Sequence, residues 1–190
     1  MNSGIARILT AGVAALIAAP GIAQDESTNR VAAETDWSVF VENDPSQACW
    51  AVSQPKESTA TNPEGRVIAV RRGDILMFIS YLPGQNVAGQ ISLTGGYPYR
   101  DGSNVTVQIG DDSFALITVP EDDEGTPDIA EDEYAWSASN EDDAAMIAAM
   151  KAGTTAVVTA QSQRGNTTKD SFSLLGFTAA VDQAAARCTN

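Results

Sequence analysis

The side chains that could carry chemistry in this chain are mostly carboxylates. There are 25 acidic residues against 11 basic ones, and no histidine at all. Without an imidazole, the Ser-His-Asp and Cys-His nucleophilic arrangements are excluded, as is every His-ligated zinc or iron site. The two cysteines, Cys49 and Cys188, stand far apart and form no Cys-x-x-Cys pair, and neither a phosphate-binding glycine loop nor a nucleophile elbow occurs. Two carboxylates can act as acid and base on a glycosidic bond. Among this many acids a chance pair is unavoidable, and no spacing singles one out. The reading is a protein that is not an enzyme, with no catalytic residue to name and no cofactor.

Three other groups are candidates for binding. Glu121-Asp122-Asp123-Glu124 offers oxygen ligands to a hard cation such as Ca²⁺, but lacks the alternating spacing and glycine of an EF-hand loop. It lies in residues 120–133, which hold eight acids and no base, so a solvated acidic loop is the plainer expectation. Tyr97-Pro98-Tyr99-Arg100 is the best candidate for a contact surface, since aromatics and arginine concentrate at binding hot spots and proline stiffens their display. Packing of both tyrosines on the sheet beneath is the more ordinary fate. Arg71-Arg72, a lone basic pair, is better explained by a salt bridge than by an anion site. Trp37, Trp50 and Trp136 sit in strand-like contexts and are expected in the core.

The compartment is legible at the start of the chain. Residues 1–23 carry one basic residue, Arg7, an apolar run over 8–19, and Gly21-Ile22-Ala23 as a small-residue cleavage site, the anatomy of a secretory signal peptide. No later stretch approaches the length needed to cross a bilayer as a helix. Export favours a disulfide between Cys49 and Cys188, with two buried thiols as the alternative. The net charge of −14 repels phosphate backbones and anionic lipids, so nucleic acid and basic-patch membrane binding are disfavoured. A periplasmic, secreted or outer-envelope location follows.

The elements that must position these residues are mostly strands. Residues 24–36 are polar, Ala-rich and aperiodic, and are expected to be a disordered lead into one domain over 37–190. Residues 154–161 and 167–174 read as two strands joined by the turn Arg164-Gly165-Asn166, with Phe172 and Leu174 on one face and Ser171 and Ser173 on the other. Strands are also expected at 37–41, 49–53, 67–71, 75–82, 87–93, 105–109 and 114–118. Residues 55–65 read as a polar loop. Ser139 or Asn140 caps a helix at about 141–151, with Met146, Ala149 and Met150 as its buried stripe, and Thr178 caps another at about 179–187. Many short strands with regular turn signals predict an all-β sandwich or barrel.

Several motifs then fall into a familiar set. Cys49-Trp50-Ala51 with Ser53, Arg72-Gly73-Asp74, Gly95-Gly96-Tyr97-Pro98, the block over 148–180 and the closing Arg187-Cys188 resemble the invasion-associated locus B family of secreted alphaproteobacterial proteins. The resemblance spans roughly 37–188 and implies an immunoglobulin-like β-sandwich exported to the periplasm or envelope. It brings no catalytic residue. The family's namesake is linked to red-cell entry, whereas many relatives belong to free-living bacteria. The function expected is a non-enzymatic envelope protein that binds another protein or a surface polymer. The alternative is a periplasmic small-ligand or Ca²⁺-binding module.

Overall fold

The computed structural model describes residues 29–43, 45–118 and 131–188. The described strands are β1 (Arg30–Glu34), β2 (Trp37–Glu42), β3 (Ala48–Ser53), β4 (Glu57–Thr61), β5 (Leu76–Leu82), β6 (Val87–Thr94), β7 (Asn104–Ile109), β8 (Asp112–Thr118), β9 (Tyr134–Ser137), β10 (Thr155–Gln161) and β11 (Thr167–Ser173). Two α-helices, α1 (Asn140–Ala152) and α2 (Phe177–Cys188), complete the fold and match the expected helices to within two residues at each end. The signal-peptide reading at 1–23 and the acidic tetrad Glu121, Asp122, Asp123 and Glu124 fall outside the described residues.

All strand pairs are antiparallel, in the order β1-β2-β3-β5-β6-β9-β8-β7-β10-β11-β4. The all-β, sandwich-like architecture expected from the sequence is present, with one difference. The two halves form a continuous ladder because short β9 pairs with β6 on one side and β8 on the other. The sheet then curls until its ends meet. Trp37 Nε1 donates to the Ser173 carbonyl at 2.9 Å, and the Asp36 amide to Leu175 at 3.2 Å. Period-two alternation turns Val39, Ala51, Ile79, Leu93, Val107, Leu116, Val158 and Phe172 inward to one core. There α2 packs across β2, β3 and β5, and α1 packs on β6.

The helices are held by local chemistry and by two long-range ties. Ser139 caps α1, its hydroxyl accepting from the Asp142 amide, and Glu141, Asp142 and Asp143 occupy the first turn where acids complement the helix dipole. Asp143 is buried and accepts from the Ile91 amide at 2.8 Å and from the Ser137 hydroxyl, which fixes α1 to β6 and β9. The Cys49–Cys188 disulfide fixes the end of α2 to β3. Gly176, with φ +88°, precedes α2 in the left-handed region, and a Cβ there would fall 1.9 Å from the Glu34 carbonyl oxygen.

Four expectations change. The disordered lead at 24–36 is wrong over Arg30–Glu34, which is β1 paired to β2. The polar loop at 55–65 contains β4, paired in register with β11. Both strands are sheet edges with mostly exposed residues, so neither carries the apolar alternation that reveals a half-buried strand. Conversely, 67–71 joins the sheet only at an isolated Thr61–Val67 bridge and one bond from the Ile68 amide to Ala60, and then departs. The tryptophans also divide. Trp37 is buried, but Trp50 and Trp136 are half-buried on the outer sheet face, where Trp50 stacks on Phe40 and Trp136 on Tyr134.

Candidate functional site

A groove of about 510 Å³ opens where three segments meet: the extended run after β4, the Gly-rich turn after β6, and the β10–β11 turn. Its floor is built around Arg72. This guanidinium is almost fully buried and grips the Asp170 carboxylate with two parallel bonds, Nη1 to Oδ1 and Nη2 to Oδ2, both 2.7 Å. Its Nε donates to the Gly95 carbonyl at 2.9 Å, and its plane lies 4.9 Å from the centre of the Tyr97 ring. The Tyr97 hydroxyl bonds Thr168 Oγ1 at 2.5 Å. Burial pushes the Tyr97 phenol up, and the Thr168 bond and the Arg72 charge oppose that rise.

The glycines of the two motifs make this crossing possible. The Gly73 amide donates to the Gly96 carbonyl at 2.9 Å. A Cβ on Gly96, whose φ is +68°, would lie 2.6 Å from the Gly73 carbonyl carbon. Two backbones can approach this closely only where no side chain intervenes. Gly95 makes room for a neighbour in the same way, since a Cβ on it would lie 2.8 Å from the Tyr99 hydroxyl. The two glycine motifs are therefore a single construction, with Arg72 anchoring one strand of the crossing to β11.

The sequence candidates divide here. Tyr97 and Pro98 line the groove. Tyr99 is only 2% exposed, stacked edge-on against Tyr97, so it is a core residue and not part of a contact surface. Its hydroxyl is buried without a hydrogen-bond partner, and burial drives its phenol far above the ordinary tyrosine range. Arg100 is exposed but does not line the groove; its amide bonds Gln161 and its carbonyl accepts from Ser103. The salt-bridge reading holds for Arg72, while Arg71 makes no ion pair among the described residues and faces the groove. Arg164, read only as a turn residue, also lines the groove from the β10–β11 turn, exposed and without an ion pair among the described residues.

Asp170 and Thr168 were missed. Both alternate with Phe172 along β11, so the period that buries Phe172 buries them too. A charged residue at an inward position of a half-buried strand was the available signal. The groove's own acid is Glu133, whose carboxyl is pushed up by partial burial and by the Asp132 charge. Two guanidiniums that make no ion pair among the described residues, beside Val70, Tyr97 and Pro98, can hold a carboxylate. Among the described residues, no three of Cys, Asp and Glu stand close enough together to hold a metal ion.

Fold and groove together define a class: an all-β scaffold, tied by one disulfide, that presents a recessed groove where three segments converge. The chain belongs to the invasion-associated locus B (IalB) family, whose profile matches residues 37–185. This is a family of envelope-associated bacterial proteins and not a known enzyme family. A crystal structure of invasion-associated protein B from Bartonella henselae is similar in fold, with a TM-score of 0.52 and 16% sequence identity, over 84% of this chain and 98% of that one. No curated protein sequence matches the chain. No described helix is long and apolar enough to cross a membrane.

Proposed function

We propose that this chain is a non-enzymatic protein, exported by the signal peptide at 1–23, that works in the periplasm or at the outer envelope by holding a protein partner in the groove beside Tyr97 and Pro98. The observation that carries the reading is charge placement. In a chain of net charge −14, Arg71 and Arg164 have no ionic partner among the described residues, and both line one groove. Surplus acids elsewhere make an unpaired, co-located pair of arginines an uneconomical arrangement unless something anionic is to be held. The buried Arg72–Asp170 pair and the Gly73–Gly96 bond fix the floor of the groove, which lowers the ordering cost of binding.

The test is affinity capture from an envelope extract, with the intact oxidised protein as bait and the Arg71→Glu/Arg164→Glu double variant as control. Both residues are exposed, so the variant should fold as well as the parent. A partner captured by the parent and lost by the variant supports the reading; capture indifferent to both charges sinks it. Cell fractionation of the full chain tests export, and cytoplasmic retention would overturn that part. A second reading, a small-ligand module, is favoured by the groove volume, which lies within the usual range for small-molecule sites.

A further inference from the structure

The residues leading into the groove behave as a strand without a partner. Val67, Ile68, Ala69 and Val70 form a β-prone run that the sequence assigns to the sheet. The structure honours this for one step only: Val67 bridges Thr61, the Ile68 amide bonds Ala60, and the chain then swings off the β4 edge. The swing has a cause downstream, because Arg72 is pulled to Asp170 and Gly73 to Gly96. The backbones of Ala69, Val70 and Arg71 consequently make no hydrogen bond with the rest of the described chain. Val67 is 77% exposed and Val70 is 42% exposed.

An apolar run with unpaired backbone beside a sheet edge is the kind of feature that natural proteins usually blunt. Here it is left open beside a groove, and the same three residues, Ala69, Val70 and Arg71, form one wall. Local preference that the fold leaves unsatisfied tends to mark a working site. Free backbone donors and acceptors beside pockets for alternate side chains are what strand addition uses.

We propose that this edge takes an extended peptide segment of the partner, paired in β fashion along 69–71, with an Asp or Glu side chain or a chain-terminal carboxylate held between Arg71 and Arg164. Charge selects the occupant: among the described residues the groove offers two guanidiniums without an ion pair against one carboxylate, Glu133. Apolar side chains of the incoming strand meet Val70, Pro98 and Ala60. The main-chain pairing supplies affinity without strong sequence demand, and the arginines supply the acidic preference. This inference rests on the groove being the site where the partner binds.

The test is selection from a randomised hexapeptide library on the intact, disulfide-bonded protein. The expected result is enrichment of peptides with Asp or Glu among β-branched residues. Their binding should fall at least tenfold on the Arg71→Glu/Arg164→Glu variant, and at least tenfold when alternate peptide amides are N-methylated. Free glutamate at equal concentration should not compete. Selection without acidic bias, no selectable binder, equal binding of the N-methylated peptide, or full competition by free glutamate each overturns the proposal. Failure here with arginine-dependent capture of an envelope partner intact would leave the functional reading standing; loss of that dependence would remove both.

Discussion

Replacing Asp170 with alanine should lower the stability of the oxidised protein by about 3–5 kcal/mol, the range for breaking a buried pair from one side. The size follows from what is left behind. The Arg72 and Asp170 side chains are only 8% and 4% exposed, so their charges meet little water. Loss of the carboxylate removes two 2.7 Å charge-assisted bonds and leaves a guanidinium held only by Gly95 and the face of Tyr97. An exposed pair would contribute no more than about 1 kcal/mol. The Arg72→Met/Asp170→Leu double variant should recover most of the loss, because no charge is then stranded. Urea unfolding followed by tryptophan fluorescence under non-reducing conditions reads both effects, with the slope expected to stay constant. If Asp170→Ala loses under about 1 kcal/mol, or the double variant is no better than the single one, the account of Arg72 as a buried anchor for the glycine crossing is wrong.

Gly176→Ala combines a left-handed backbone with a Cβ 1.9 Å from the Glu34 carbonyl, and should cost at least about 2 kcal/mol by the same unfolding assay; a change under about 0.5 kcal/mol would contradict the contact. Replacing both Cys49 and Cys188 with serine opens a loop of 139 residues and should lower stability by up to about 5 kcal/mol, visible as a fall in the urea midpoint. Burial and the Asp182 charge push the Tyr81 phenol up to about 12. Its folded value exceeds the unfolded one near 10, so the unfolded state gives up its proton first, and the stability from Tyr81 should be whole below pH 10 and lost as pH rises toward 12. Tyr81→Phe should flatten the decline in melting temperature over that range; an unchanged decline would assign it to other groups.

The interior was readable because inward positions repeat every second residue. The stretches around Val105, Val107 and Ile109 and around Phe172 announce themselves this way, and Ser139 with three following acids announces α1. The edges were not readable, because β1 and β4 bury almost nothing, and β4 owes its extension to β11, far along the chain. The groove was half readable. Tyr97 and Pro98 stood out by composition and Arg72 by its need for a counter-charge. Asp170 was signalled by its inward parity on β11, but its partner and the role of Arg164 appear only when β11 and the β10–β11 turn are laid against the glycine crossing. Trp50 and Trp136 show the limit of residue type alone: an aromatic in a strand is buried or displayed according to parity, and their parity points outward.

The position of β4 imposes an order on biogenesis. It emerges in synthesis directly after β3, yet its ladder partner is β11, with Thr61 opposite Thr167 across 106 residues. Until the final hairpin emerges, a nascent chain carries this segment and the unpaired run behind it as sticky ribbon, with Cys49 still waiting for its mate. Contacts of such long sequence separation form slowly. Maturation is therefore gated from the carboxyl side, and a chain stalled before β11 presents an unmated ribbon and a bare thiol to the proteases and chaperones of its compartment.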